Sequence, residues 1–342
     1  MTLVAFLAAI GLPACQQSSE EEADAATVTP ASQSPDGPLI LWDRGHNNFG
    51  TLERRRRLLD WLVRSGYRVR EVLGRFDAAT LAEADIVISK NALAARNVAE
   101  ADWRLPTPSA FTRDEIETIA SWVRDGGALV LIIEHMPMAG GMADLASAFG
   151  VMVANGFVVR ADAIDQVIPE RADTMAGVFV YRRGDGRLPS HPVTNGRTAA
   201  ERVDSVATDW GSAFLLPPGA ISLLTLDSAA VSLEPAVAWE FPESTPQVPV
   251  GNWSQGALLG YGKGRLAVLA DAWPVIAPIP PEWIDSIGYD AWGVQHAQFT
   301  LNLLRWLLQS EPLGGLTRPN RLLNYRYLAG ASIPGTNTMH RR

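Results

Sequence analysis

Five side chains in this sequence have the chemistry of an active or binding site: Asp43, His46, His135, Asp271 and His296. Neutral imidazole nitrogens beside carboxylates suit a divalent metal such as zinc, and a centre with an open coordination position activates water. On that reading His46, His135 and Asp271 are the ligands of a metal-assisted hydrolase, with Asp43 close by. The same residues without metal make a general base, His46 or His135, oriented by Asp43 or Asp271. No pair has His-Glu-x-x-His spacing and no serine stands in a Gly-x-Ser-x-Gly elbow, so neither reading brings a diagnostic motif. A plainer account has each histidine hydrogen-bonding a turn backbone and Asp271 capping a helix. His191, just before Pro192, reads as a turn residue.

Binding without catalysis is the third possibility. Trp273, Trp283 and Trp292 crowd the chain after Asp271, and Trp239, Trp253 and Tyr261 precede it. Together they outline an aromatic cleft for a glycan or peptide, because aromatic rings supply large contact area at low entropic cost. Asn47 and Asn48, beside His46, are the polar contacts of that site. Trp61, Trp122 and Trp306 fall on apolar helix faces and read as core.

Around these residues, 39–42 form a short apolar strand and 43–48 the βα turn that follows it. In an open parallel sheet, ligands collect outside the carboxyl ends of the strands, which makes this turn the natural address for a site. Leu58, Leu59, Leu62 and Val63 repeat at helical spacing, with Gly66 at the C′ position. Residues 67–73 read as a second strand, 81–84 as a helical turn and 85–89 as a third, fully buried strand. Residues 90–109 make a long connection at the same edge. Thr112 and Glu115 are spaced as a capping box before the apolar face Ile116, Ile119, Ala120 and Val123, and Gly126-Gly127 ends that helix. Residues 128–133 are a fourth strand that delivers Glu134-His135-Met136-Pro137 to the edge. Gly140-Gly141 then leads into a helix over 142–149.

Residues 160–255 carry short alternating stretches and read as an antiparallel, β-rich insertion. Residues 256–261 and 265–270, joined at Gly262-Lys263-Gly264, form a hairpin that returns to the main sheet. A proline-rich loop over 274–289 precedes a helix over 291–309, whose Phe299, Leu303, Trp306 and Leu307 face the core. Residues 310–342 lack a core pattern and read as a loose tail.

The chain of 342 residues, nearly half of them hydrophobic, has ample material for a large core. Its 29 Lys and Arg against 37 Asp and Glu give a net charge of −8, so nothing favours a nucleic-acid partner. The single cysteine, Cys15, excludes an intrachain disulfide and a thiolate metal cluster. Residues 3–10 are apolar and run into Gly11-Leu12-Pro13-Ala14-Cys15, which resembles the lipobox of bacterial lipoproteins. That resemblance implies that residues 1–15 are a signal segment and that Cys15 is lipidated, placing the protein in the cell envelope with its domain in the periplasm. Each buried methylene of an acyl chain contributes about 0.8 kcal/mol, so several chains tether a protein without spanning the bilayer. Residues 16–38, rich in Ser, Glu, Ala, Thr and Pro, read as a flexible linker.

Four stretches in order carry a further likeness: Asp43-Arg44-Gly45-His46-Asn47, Gly126-Gly127-Ala128-Leu129-Val130-Leu131, His191-Pro192-Val193-Thr194-Asn195-Gly196 and the run from Gly262 to Asp271. Together they resemble an uncharacterised bacterial family with a class I glutamine-amidotransferase-like fold, related to gliding-motility and ABC-transporter auxiliary domains. The resemblance implies an α/β, flavodoxin-like open sheet, mostly parallel, over 39–309, with the β-rich insertion at about 160–255. It also implies an envelope or transporter protein as partner. True amidotransferases attack the amide carbon with a cysteine on a tight strand-to-helix turn. No cysteine follows Cys15, so glutaminase chemistry is excluded on residue type.

Overall fold

The computed structural model describes residues 36–50, 52–99, 102–168, 175–272 and 295–309. Its first strand, β1 (Leu39–Asp43), is buried on both faces, as a central parallel strand must be. Helix α1 (Leu52–Arg64) follows and lays Leu58, Leu59, Leu62 and Val63 on the sheet. It ends before Gly66, whose φ of 95° suits a residue without a Cβ. Strand β2 (Arg68–Val72) pairs parallel to β1 on the outside. The single-turn α2 (Ala78–Leu81) begins three residues before the expected turn, because the Asp77 carboxylate accepts from Thr80 N at 2.7 Å and sets the start. Strand β3 (Ile86–Lys90) then pairs with β1 on its inner side.

The connection after β3 contains a short helix, α3 (Ala95–Ala99), before α4 (Arg113–Asp125). Strand β4 (Ala128–Ile132) has all five residues buried. Helix α5 (Met138–Ser147) starts four residues earlier than the glycine pair suggests. Gly140 and Gly141 are not a lead-in turn; they are contact points inside the helix. A Cβ on Gly140 would stand 1.7 Å from Thr107 Oγ1, and one on Gly141 2.5 Å from Ala92 O. Loss of helix propensity is accepted there because nothing larger fits.

The remaining elements are β5 (Met152–Ala154), β6 (Phe157–Val159), α6 (Ile164–Val167), β7 (Val178–Arg182), α7 (Pro192–Asn195), β8 (Ser205–Asp209), β9 (Ala213–Leu215), β10 (Ile221–Thr225), β11 (Val231–Leu233), β12 (Gln247–Pro249), β13 (Ser254–Tyr261), β14 (Gly264–Leu269) and α8 (His296–Leu307). His191 caps α7, its Nδ1 accepting from Val193 N at 3.2 Å. Helix α8 is described from its first turn at His296, five residues into the predicted span.

The main sheet has nine described strands. Its parallel half runs β2-β1-β3-β4-β14, the flavodoxin-like order 2-1-3-4-5, with β14 as the fifth strand. The expected hairpin is present: β13 pairs antiparallel with β14 and carries the sheet on through β9 to β5. The β-rich segment is therefore not wholly an add-on, since β9 and β10 belong to the main sheet. Its β11 and β12 join β6, which precedes the segment, in a three-stranded sheet β12-β11-β6, and β7 pairs with β8.

Alternation along the strands builds two cores. Ile40, Ile86, Ile88, Val130 and Ile132 face α1 and α8, while Leu41, Val87, Leu129, Leu131 and Val268 face α4 and α5. A third, largely aromatic cluster of Phe157, Trp210, Leu233 and Phe241 packs with Met136, in the turn that follows β4. No helix among the described residues is long and apolar enough to cross a membrane.

Candidate functional site

The strand order reverses between β1 and β3, and at that switch point the turn after Asp43 closes on itself. Asp43 is fully buried at the end of β1. Its Oδ1 accepts from Gly45 N at 3.0 Å and lies 2.8 Å from His46 Nδ1. Its Oδ2 accepts from Ser89 Oγ at 2.5 Å and Asn48 Nδ2 at 3.2 Å. The turn is this tight because residue 45 is glycine: a Cβ there would stand 2.2 Å from Gly74 O.

His46 is held on its other side by a residue assigned a different task from sequence. Its Nε2 is 2.9 Å from Glu115 Oε1, which also accepts from Phe76 N at 2.7 Å. Thr112 does cap α4, accepting from Glu115 N at 3.4 Å, and the Glu115 side chain, which the Thr112 backbone also holds in its ionised form, reaches the histidine as well. The ring lies between Phe111, at 4.3 Å, and Phe76, at 5.7 Å. Burial on its own lowers the His46 pKa, yet the flanking Asp43 and Glu115 carboxylates outweigh it and raise the value to about 9. Burial likewise works to raise the Glu115 carboxyl, and the His46 hydrogen bond overrides it, leaving Glu115 below the ordinary carboxylate range. With a carboxylate on each nitrogen, the ring at neutral pH is an imidazolium that donates from both.

Asn47 and Asn48, proposed as ligand contacts, tie the turn to its neighbour. Asn47 Nδ2 donates to Leu93 O at 3.0 Å, and Asn48 Nδ2 to Lys90 O at 2.8 Å. Asn48 Oδ1 also accepts from His46 N at 3.2 Å.

His135 and Asp271 do not join this cluster. His135 donates from Nδ1 to its neighbour's carbonyl, Met136 O, at 2.6 Å, and stacks on Phe157 with ring centres 4.6 Å apart. Asp271, at 1% exposure, accepts from Asp209 N through Oδ2 and so ties the end of β8 to the segment after β14. His296 accepts from Ala207 N at 3.0 Å, and burial lowers its pKa to about 4, which makes it a neutral core group. Among the described residues no three His, Cys, Asp or Glu are grouped so as to hold a metal ion. The three residues expected as a metal set, His46, His135 and Asp271, each have hydrogen-bond partners in a different part of the edge. Of the expected aromatic cleft, Trp239, Trp253 and Tyr261 pack against three separate clusters. Trp273, Trp283, Trp292 and Cys15 lie outside the described residues.

A different set does come together at the carboxyl ends of β1, β3 and β4. Phe49 O accepts from Lys90 Nζ at 3.2 Å, and Lys90 Nζ lies 3.3 Å from Glu134 Oε1. The next residue, His135, meets Trp239 edge-on at 4.6 Å. Ala238 N donates to Trp103 O at 3.1 Å, and the Trp103 ring returns edge-on to Phe49 at 5.3 Å. The contacts close a ring of six residues: Phe49, Lys90, Glu134, His135, Trp239 and Trp103. All six residues are partly exposed, with the Lys90 and Glu134 side chains at 15% and 18%. Burial works to raise the Glu134 carboxyl, and the Lys90 and His135 charges more than reverse it, keeping Glu134 anionic. Asn91, with φ of 51°, supports the ring from behind, its Oδ1 accepting from Glu134 N at 3.1 Å. Only His135 and Trp239 of this ring had drawn notice as site residues, and no spacing rule connects residues so far apart in the chain. Two open surface hollows, of about 540 and 560 Å³, are lined by neither the ring nor the His46 network.

No protein-family description matches this sequence, and no curated protein matches it. Solved structures similar to it include the N-terminal domain of mmIFT52, at 13% identity and a TM-score of 0.48 over 80% of this chain and 99% of that one. A cytoplasmic protein from Salmonella typhimurium matches at 13% identity and a TM-score of 0.45, over 79% of this chain and 98% of that one. A ThuA-like protein from Bacteroides uniformis matches at 11% identity and a TM-score of 0.40, over 83% and 96%. No activity passes from these proteins to this chain.

Proposed function

We propose that this chain is a non-catalytic binding domain of the bacterial cell envelope, tethered through a lipidated Cys15, that takes a ligand or an envelope or transporter partner on the ring at the carboxyl edge of its sheet. The observation that supports it is the accessibility of that ring: six partly exposed residues, linked in turn by backbone and side-chain contacts at the switch-point edge, where open α/β sheets bind ligands. The groups suited to catalysis are spent elsewhere. His46 is sealed between two carboxylates, and the domain has no cysteine to act as the amidotransferase nucleophile. The alternative, metal-assisted hydrolysis by His46, His135, Asp43 and Asp271, draws no support from a geometry that gives His46, His135 and Asp271 separate partners.

Two measurements test the proposal. Cys15→Ser should move the protein from the membrane to the soluble fraction, and unchanged partitioning would refute the tether. The full chain should also be retained by members of an array of oligosaccharides and peptides, and Trp103→Ala and Trp239→Ala should weaken retention while circular dichroism stays unchanged. Retention indifferent to both variants, or turnover of an arrayed compound, would refute the binding reading.

A further inference from the structure

The ring restricts what it can hold, and this inference rests on the binding reading above. Lys90 Nζ and Glu134 Oε1, 3.3 Å apart at the ends of adjacent strands, present ammonium donors and a carboxylate acceptor side by side without net charge. An anionic ligand reaching Lys90 meets the repulsion of Glu134, and a cationic one reaching Glu134 meets that of Lys90. A hydroxyl escapes both penalties, because it donates and accepts. Two adjacent hydroxyls could donate to Glu134 and accept from Lys90 together.

The other members are aromatic: Trp103 meets Phe49 edge-on at 5.3 Å, and Trp239, packed against His135, Phe157, Trp210 and Phe241, is a partly exposed residue, as Trp103 is. Aromatic faces take flat, weakly polar surfaces, including the C–H face of a pyranose. An extended peptide would instead need a row of open backbone groups. At the ends of β3 and β4 those groups are occupied: Phe49 N donates to Asn91 O, Asn91 N to Ile132 O, Ile133 N to Leu269 O and Glu134 N to Asn91 Oδ1. We propose that the ring recognises a neutral saccharide, stacked on Trp103 and Trp239 with vicinal hydroxyls on the Lys90–Glu134 pair.

Calorimetric titration of the full chain tests this with short neutral oligosaccharides of the cellulose, starch and chitin types, set against anionic oligogalacturonate, cationic chitosan oligosaccharide and a peptide panel. At least one neutral series should bind and the charged ones should not. Trp239→Ala should weaken that binding about tenfold, with Trp239→Phe retaining most of it. Glu134→Gln should shift preference toward oligogalacturonate and Lys90→Met toward chitosan oligosaccharide, a change of selectivity that a purely structural pair would not produce. Preference of the native chain for a charged series, or neutral binding indifferent to Trp239→Ala in a folded variant, overturns the inference. Peptides that bind in a Trp239-dependent way while every saccharide fails would overturn it and leave the binding reading standing; no ring-dependent binding of any probe removes both.

Discussion

Glu115 Oε1 sits 2.9 Å from His46 Nε2 and 2.7 Å from Phe76 N, so one carboxylate oxygen on α4 joins the first βα turn to the loop before α2. Glu115→Ala removes that oxygen and leaves a buried imidazolium and a backbone N–H without their acceptor. The expected loss is about 3–5 kcal/mol, the range for breaking a buried charge pair. Glu115→Gln keeps an acceptor of the same shape and should cost clearly less. Denaturant unfolding of the two variants measures the difference, and equal costs would mean that the charge at position 115 is immaterial.

The same contact sets a pH dependence. The folded His46 pKa, about 9, lies above the ordinary 6.5, so folding takes up a proton and the stabilisation is fully present below about 6.5. It disappears as pH rises through about 9, and the interval corresponds to roughly 3 kcal/mol. His296 works the other way. Its folded pKa is about 4, so the stability that comes from keeping it neutral is full above 6.5 and falls as pH drops toward 4. Stability should therefore peak near pH 6.5. His46→Asn should flatten the alkaline limb and His296→Gln the acid limb, as read by thermal unfolding across pH.

How much of this could be read in advance depended on whether the cause was local. Strands such as Ala128–Ile132 announce themselves by unbroken apolar runs, and the turn after Asp43 by polar residues following one. The address of the site was legible for that reason. The second role of Glu115 was not legible, because Thr-x-x-Glu signals a capping box and says nothing of His46, which becomes a partner only once β1 lies beside α4. Gly140-Gly141 looked like a helix lead-in because glycine weakens helices; the contacts that demand it come from Thr107 and Ala92, far back in the chain. The ring of Phe49, Trp103 and Trp239 had no local signature, since it joins three loops through the fold alone.

Those glycines yield a sharp expectation. Gly140→Ala would normally gain helix propensity of about 1 kcal/mol, but here its Cβ would lie 1.7 Å from Thr107 Oγ1 and 2.6 Å from Thr107 Cβ. A net destabilisation of about 1–3 kcal/mol is expected, typical of overpacking. Thr107→Ala removes the nearer atom and leaves the second, so the double variant should recover only part of the loss. Full recovery would show that α5 can shift away from the loop.

The last prediction concerns the support beneath the ring. Gln255 Oε1 accepts from Tyr181 Oη at 2.7 Å and from Thr208 Oγ1 at 2.5 Å, while its Nε2 donates to Ser212 O at 2.8 Å. Ser212 Oγ in turn donates to Ile133 O at 2.7 Å, directly before Glu134. Tyr181→Phe removes one donor and leaves Gln255 Oε1 its second, so it should cost about 1 kcal/mol. Gln255→Leu strands two buried hydroxyls and releases Ser212, and should cost more, about 2–4 kcal/mol. Because that chain of bonds ends at the residue preceding Glu134 and His135, Gln255→Leu should also weaken ring-dependent binding, whereas Tyr181→Phe should leave it intact. Binding that survives Gln255→Leu in the folded protein would show that Glu134 and His135 are positioned by β4 alone.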